Sequence, residues 1–129
     1  MADISTRTQT KPSKHSLIAS DRVEGTPVRN VKGEKIGSIE RLMIDKKSGK
    51  VAYGVLSFGG FLGMGSKHFP IPWKSLDYDT EAEAYVVNIS EQKLKDAPSF
   101  EDKTQFDWGD RSQEISLHNY YGAGPYWGI

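Results

Sequence analysis

One stretch constrains the fold of this chain more than any other: Val55-Leu-Ser-Phe-Gly-Gly-Phe-Leu-Gly-Met-Gly-Ser-Lys-His-Phe-Pro-Ile-Pro-Trp73. An apolar, β-rich run ends in a glycine-broken aromatic loop, restarts, and stops at a Pro-Ile-Pro-Trp corner. Strand, loop, strand and corner in that order suit a small barrel turning from one strand into the next. The residues before this stretch read the same way. Val51, Tyr53 and Val55 alternate with Ala52, Gly54 and Leu56, and both phases are largely apolar. The strand Lys50–Phe58 is therefore expected to be central and covered on both faces, with Gly54 at a bend or a close backbone approach.

Further strands are expected over Ser16–Ala19, Thr26–Arg29, Ile36–Asp45, Lys67–Ile71 and Ala84–Ile89. Ile36–Asp45 could also be a helix on the spacing of Ile36, Ile39 and Met43. Gly37 and three isoleucines fit a twisted strand with a bulge better. Asn30–Gly33 reads as a turn, and Asp45–Lys50 as a hairpin loop with Gly49 in the left-handed position. Trp73–Leu76 suggests an irregular or 3₁₀ turn. Ser90 is placed to cap a short helix over 91–96, which Pro98 ends. Phe100–Trp108 reads as loop. Asp110 as N-cap, Gln113 as capping-box partner and Gly122 as C-cap predict a helix over 110–121, although Ile115, Leu117 and Tyr121 make no clean stripe. The expected organisation is a disordered polar tail over 1–14, a domain over 15–98 and a C-terminal extension over 99–129.

Charge and composition exclude several functions. Lys plus Arg and Asp plus Glu are each 17, and a neutral chain offers no electrostatic footprint for nucleic acid. The chain has no cysteine, which removes disulfides, thiol catalysis and Cys-ligated zinc. The first residues have no apolar core of a secretory signal, and no stretch reaches the roughly 18 apolar residues of a membrane span. A cytoplasmic protein is the simplest expectation.

Residues 16 to about 90 resemble the PRC-barrel family. The matching pieces are Gly25-Thr-Pro-Val-Arg-Asn-Val-Lys-Gly-Glu-Lys-Ile-Gly-Ser-Ile-Glu40, Met43-Ile-Asp45, Ser48-Gly-Lys-Val-Ala-Tyr53, Ser57-Phe-Gly-Gly60 and Phe69-Pro-Ile-Pro-Trp73. The family includes the cytoplasmic part of the photosynthetic reaction centre H subunit and the C-terminal domain of a ribosome-maturation factor. The resemblance implies an all-β fold: a small antiparallel barrel of about six strands, filled by its own side chains, here followed by one or two short helices. It also implies an assembly surface rather than an activity. Two further roles follow by analogy alone, as an RNA- or ribosome-associated maturation-type factor or as a peripheral factor of a photosynthetic or other membrane electron-transfer complex.

No catalytic, cofactor-binding or metal-ligating set emerges from the spacing. His15, His68 and His118 are scattered, and His68 has no evident Ser or Asp partner. Asp77 and Asp79 could pair on a strand face, but acid–base work needs a cleft. Arg29, Lys32, Lys35, Lys46, Lys47 and Lys50 lie in turns interleaved with acids, as solvated turn lysines do. Two apolar clusters are candidate partner contacts. Phe58, Phe61, Leu62 and Met64 in the glycine loop would either dock a partner or plug one barrel end. Tyr120, Tyr121, Tyr126 and Trp127 would pack either across a homodimer or onto their own barrel. The expected function is a non-catalytic interaction module, self-associating or binding an unidentified protein.

Overall fold

The computed structural model describes residues 16–59, 67–101 and 106–127. The 1–14 tail and Phe61, Leu62 and Met64 of the glycine loop lie outside these. Seven strands form one sheet: β1 (Pro27–Arg29), β2 (Lys35–Ile44), β3 (Val51–Ser57), β4 (Lys67–Pro72), β5 (Leu76–Asp79), β6 (Ala84–Val87) and β7 (Phe100–Glu101). Three helices accompany them: α1 (Ser20–Val23), α2 (Glu91–Lys95) and α3 (Arg111–Tyr121). None of the described helices is long and apolar enough to cross a membrane.

The strand order is β5-β6-β1-β2-β3-β4-β7. The chain passes from β4 to β5 through only the 3₁₀ turn Trp73–Ser75, yet these strands stand five positions apart in the sheet. At ~4.8 Å per strand, a flat sheet would hold them ~24 Å apart, whereas four residue steps reach only ~14 Å. The sheet must therefore coil. Packing inside the coil agrees: a Cβ added to Gly54 on β3 would lie 3.3 Å from Leu76 Cδ1 on β5 and 3.4 Å from the Trp73 ring. Among the described residues, no ladder joins the two outer strands, so the expected closed barrel is instead a coiled sheet with open edges at β5 and β7.

Three further expectations are corrected. Pairing is not wholly antiparallel, because β1 runs parallel to β6 with Val28 opposite Tyr85. Ser16–Ala19 is not a strand. With β6 and β2 on the two sides of β1, this segment finds no free edge there, and the chain makes the single turn α1 instead. Thr26 Oγ1 donates to Arg22 O at 2.9 Å, and Val23 enters the core at 3% exposure. Part of the expected 100–108 loop is β7, which pairs with Lys67 and His68.

The local signals elsewhere are realised. Gly49 has φ +77°, and Asp45 Oδ2 accepts from Ser48 N and Oγ to close the β2–β3 turn. The Ser90 side chain accepts from Lys93 N at the start of α2. The core is filled: Val28, Ile39, Leu56, Phe69, Ile71 and Val87 are fully buried. Strand β3 is buried through five successive residues, Ala52–Leu56, as expected of a strand covered on both faces.

Gly37 is fixed by close approach. Its missing Cβ would overlap the Ser57 carbonyl oxygen and lie 2.9 Å from the Phe58 ring and 3.1 Å from Phe58 Cα. Two of these atoms are backbone and cannot swing aside. Gly37→Ala should therefore lower the unfolding free energy by about 3 kcal/mol, measured as an earlier urea midpoint with an unchanged slope.

Candidate functional site: the α3–sheet junction and the β2–β4 cleft

Helix α3 begins where its capping residues place it. Asp110 Oδ1 accepts from Ser112 N at 2.9 Å and from Ser112 Oγ at 2.6 Å, and these bonds hold its carboxyl below the usual carboxylate range. The cap bond thus goes to Ser112, whereas Gln113 contributes its backbone N–H to Asp110 O. Gly122 ends the helix at φ +67°, and Ala123 N donates to His118 O, a left-handed C-cap.

The face that α3 turns to the sheet is Glu114, Leu117, His118 and Tyr121, the i, i+3, i+4, i+7 spacing of one helix side. Glu114 is 4% and His118 5% exposed, while Ile115 is 46% exposed. Half of the inward face is therefore polar, and hydrophobic periodicity alone does not reveal it.

These polar groups meet Tyr53, which β3 presents on the outer face of the sheet. Tyr53 Oη donates to Glu114 Oε1 at 2.7 Å and lies 2.9 Å from His118 Nε2. Tyr126 Oη donates to the same Glu114 oxygen at 2.7 Å. His118 Nδ1 lies 3.2 Å from Ala123 O, and Arg111 Nε approaches Glu114 Oε2 at 3.9 Å. Aromatic rings enclose the cluster: Trp108 and Tyr126 lie 5.4 and 5.7 Å from the Tyr53 ring, and Arg111 sits 4.0 Å over Trp127. Burial, then the Glu114 carboxylate, pushes the Tyr126 hydroxyl up to about 12, and the same causes push Tyr53 higher still.

The second feature is a cleft of about 770 Å³ lined by Glu40, Arg41, His68, Phe100, Phe106 and Trp108, among others. The ladder pairs Ile39 with Leu56 and Arg41 with Val55, so Glu40 is the extra residue of a bulge. Its Oε1 lies 2.6 Å from His68 Nδ1, reaching across β3 from β2 to β4. His68 thus has a carboxylate partner 28 residues away, which spacing along the chain did not reveal. The two side chains are 21% and 29% exposed, and no group of three or more metal-ligating residues converges among the described residues. The arrangement orients the His68 imidazole through its bond to the Glu40 carboxyl.

The other sequence candidates fall as follows. Phe58 is 2% exposed and packs against Phe69, with ring centroids 5.0 Å apart, so it is a core residue rather than a surface contact. Asp79 Oδ1 accepts from Glu81 N and Ala82 N, an anchor of the β5–β6 turn. The tail aromatics pack within the chain: Tyr120 Oη donates to Lys93 O on α2, Trp127 lies 5.0 Å from His118, and Tyr121 packs against both core clusters.

Comparison with known families decides the class of the molecule. The family model for the PRC-barrel domain matches residues 15–94, well over half of the chain. The chain belongs to the PRC-barrel family. A search of curated proteins finds no match. Glu114, His118 and Tyr126 lie beyond the matched span, so the PRC-barrel sheet supplies only Tyr53 to the cluster and the C-terminal extension supplies its partners.

All six tyrosines hold their hydroxyls above the ordinary value of about 10, with burial the first cause in each. Burial here favours the protonated phenol, so this stability is present below pH ~10 and is lost as pH rises beyond it. An alkaline titration should show phenolate absorbance lagging behind free tyrosine and then rising together with loss of the far-ultraviolet dichroism. A phenolate curve that matched free tyrosine while the fold remained intact would contradict the burial argument.

Proposed function

We propose that this PRC-barrel protein is a non-catalytic assembly module that binds protein through its outer surface, a second copy of itself included. The observation that carries this reading is the filled interior. Ile39, Leu56, Phe69 and Ile71 are fully buried, so binding falls to the surface. That surface carries large apolar side chains without cover from the described chain: Val31 is 65%, Ile44 50% and Tyr78 43% exposed. Tyr78 stands on β5, an open sheet edge, and such an edge can accept another strand. The apolar residues of the glycine loop, Phe61, Leu62 and Met64, are of the type that anchors interfaces. The tail aromatics act differently in this reading. Tyr120, Tyr121, Tyr126 and Trp127 cap their own sheet and shape the surface a partner meets.

Light scattering coupled to size exclusion tests the proposal. The wild-type mass should climb from monomer towards dimer as concentration rises from low to high micromolar. The double variant Phe61→Ala with Leu62→Ala should stay monomeric at an unchanged melting temperature. A wild-type protein that remains strictly monomeric throughout argues against self-association.

A further inference from the structure

The cluster at the α3–sheet junction contains more hydrogen bonds than its ordinary protonation allows. Four bonds meet there: Tyr53 to Glu114, Tyr126 to Glu114, Tyr53 with His118 Nε2, and His118 Nδ1 with Ala123 O. Each bond needs one proton. Two tyrosine hydroxyls supply two, a neutral imidazole supplies one, and a carboxylate supplies none. Three protons cannot serve four bonds. A fourth completes the set in either of two ways. His118 as imidazolium donates through both nitrogens while Glu114 stays a carboxylate. Alternatively, Glu114 carries the proton and donates to Tyr53, whose own proton turns to a neutral His118. The two forms differ only by a shift along the Tyr53 hydroxyl, so one proton would be shared across the pair.

We propose that Glu114, Tyr53 and His118 form a buried proton-binding site whose bound proton latches α3 and the tail aromatics to β3. When the proton leaves, a neutral His118 can donate through Nε2 to Tyr53 or through Nδ1 to Ala123 O but not through both. One bond is lost and two acceptors face each other beside a Glu114 carboxylate whose ion-pair partner is Arg111, 3.9 Å away.

The charged and titratable neighbours come from every packed element. Arg111 approaches Glu114 from α3. Lys50, beside β3, and Lys74, in the 3₁₀ turn, line a second pocket of about 320 Å³ together with His118 and Tyr126. From the β2–β3 turn, the Asp45 charge acts on Tyr126. Arg111 favours the Glu114 carboxylate and opposes an imidazolium, so it works against the bound proton in either form, and the fourth hydrogen bond must outweigh it.

The direction of the pH effect is the same for both forms. In the unfolded chain a histidine releases its proton near pH ~6.5 and a glutamic acid near pH ~4.3. Between those values folded and unfolded chains hold the same single proton on this pair. A proton that the latch holds above pH ~6.5 would be held by the folded chain alone, so the latch would weaken as pH rises.

Nuclear magnetic resonance of the full chain at about pH 7.5, one unit above the free imidazole, reads the site directly. The expected result is either a His118 ring protonated on both nitrogens or a Glu114 side-chain carbon at the carboxylic-acid position. A singly protonated ring beside a Glu114 carboxylate would overturn the proposal. Amide exchange supplies the second readout. After correction for intrinsic base catalysis, opening at Leu117 in the wild type should increase by tenfold or more from pH ~6.5 to ~9, the loss of one charge-assisted bond. His118→Gln removes the imidazole from both forms of the cluster, so its opening should be flat over that window. A flat wild type, or a variant with the wild-type slope, would also reject the latch.

Discussion

A three-residue link governs this fold. Trp73–Ser75 joins strands that are five positions apart in the sheet, and so short a connection obliges the sheet to coil until its ends approach. The coil brings Leu76 of β5 against Gly54 of β3, and it gives the sheet an inner face that its own valines, isoleucines and phenylalanines fill. The parallel β1–β6 pair has the same origin, since β6 returns beside β1 only after β2 to β5 have run around the coil. The outer face is left to be covered by other means. Over β3 the covering elements are α3 and the residues around Trp108.

That outer covering is held by polar chemistry as much as by apolar contact. Burying Glu114 and His118 is unfavourable unless each polar atom finds a partner. Tyr53, Tyr126 and Ala123 O provide those partners. A satisfied buried network of this kind specifies one docking geometry, because any shift of α3 would orphan several groups together. Leu117 supplies the fully buried apolar contact at the same junction. The C-terminal extension thereby covers part of the PRC-barrel sheet, with Tyr121 packed against both core clusters.

Short-range features were legible along the chain. Ser90 and Asp110 cap α2 and α3, Gly49 and Gly122 take left-handed conformations, and β3 is covered on both faces. Each depends on neighbours within a few residues, where capping and turn chemistry act. What escaped the reading depends on distant partners. The segment 16–19 looks like a strand until both sides of β1 are seen to be occupied. β7 exists only because Lys67 and His68 offer it an edge. The Glu40–His68 pair forms because a bulge aims Glu40 across β3. The inward face of α3 was missed for a different reason. Its Glu and His count as polar, so a search for an apolar stripe passes over two of the three buried residues of the helix.

The amino-acid order was enough to establish a PRC-type, mainly β chain, the ends of its later helices and a central β3, because these follow from periodicity, caps and glycine conformations that operate locally. The tertiary structure alone decided that the sheet coils with open edges, that Phe58 belongs to the core, and that Tyr53 shares its hydroxyl with Glu114 and His118. Those outcomes join residues as many as 65 positions apart. Whether a polar side chain becomes a solvated surface group or part of a buried proton site depends on which distant groups the coil brings within hydrogen-bonding reach.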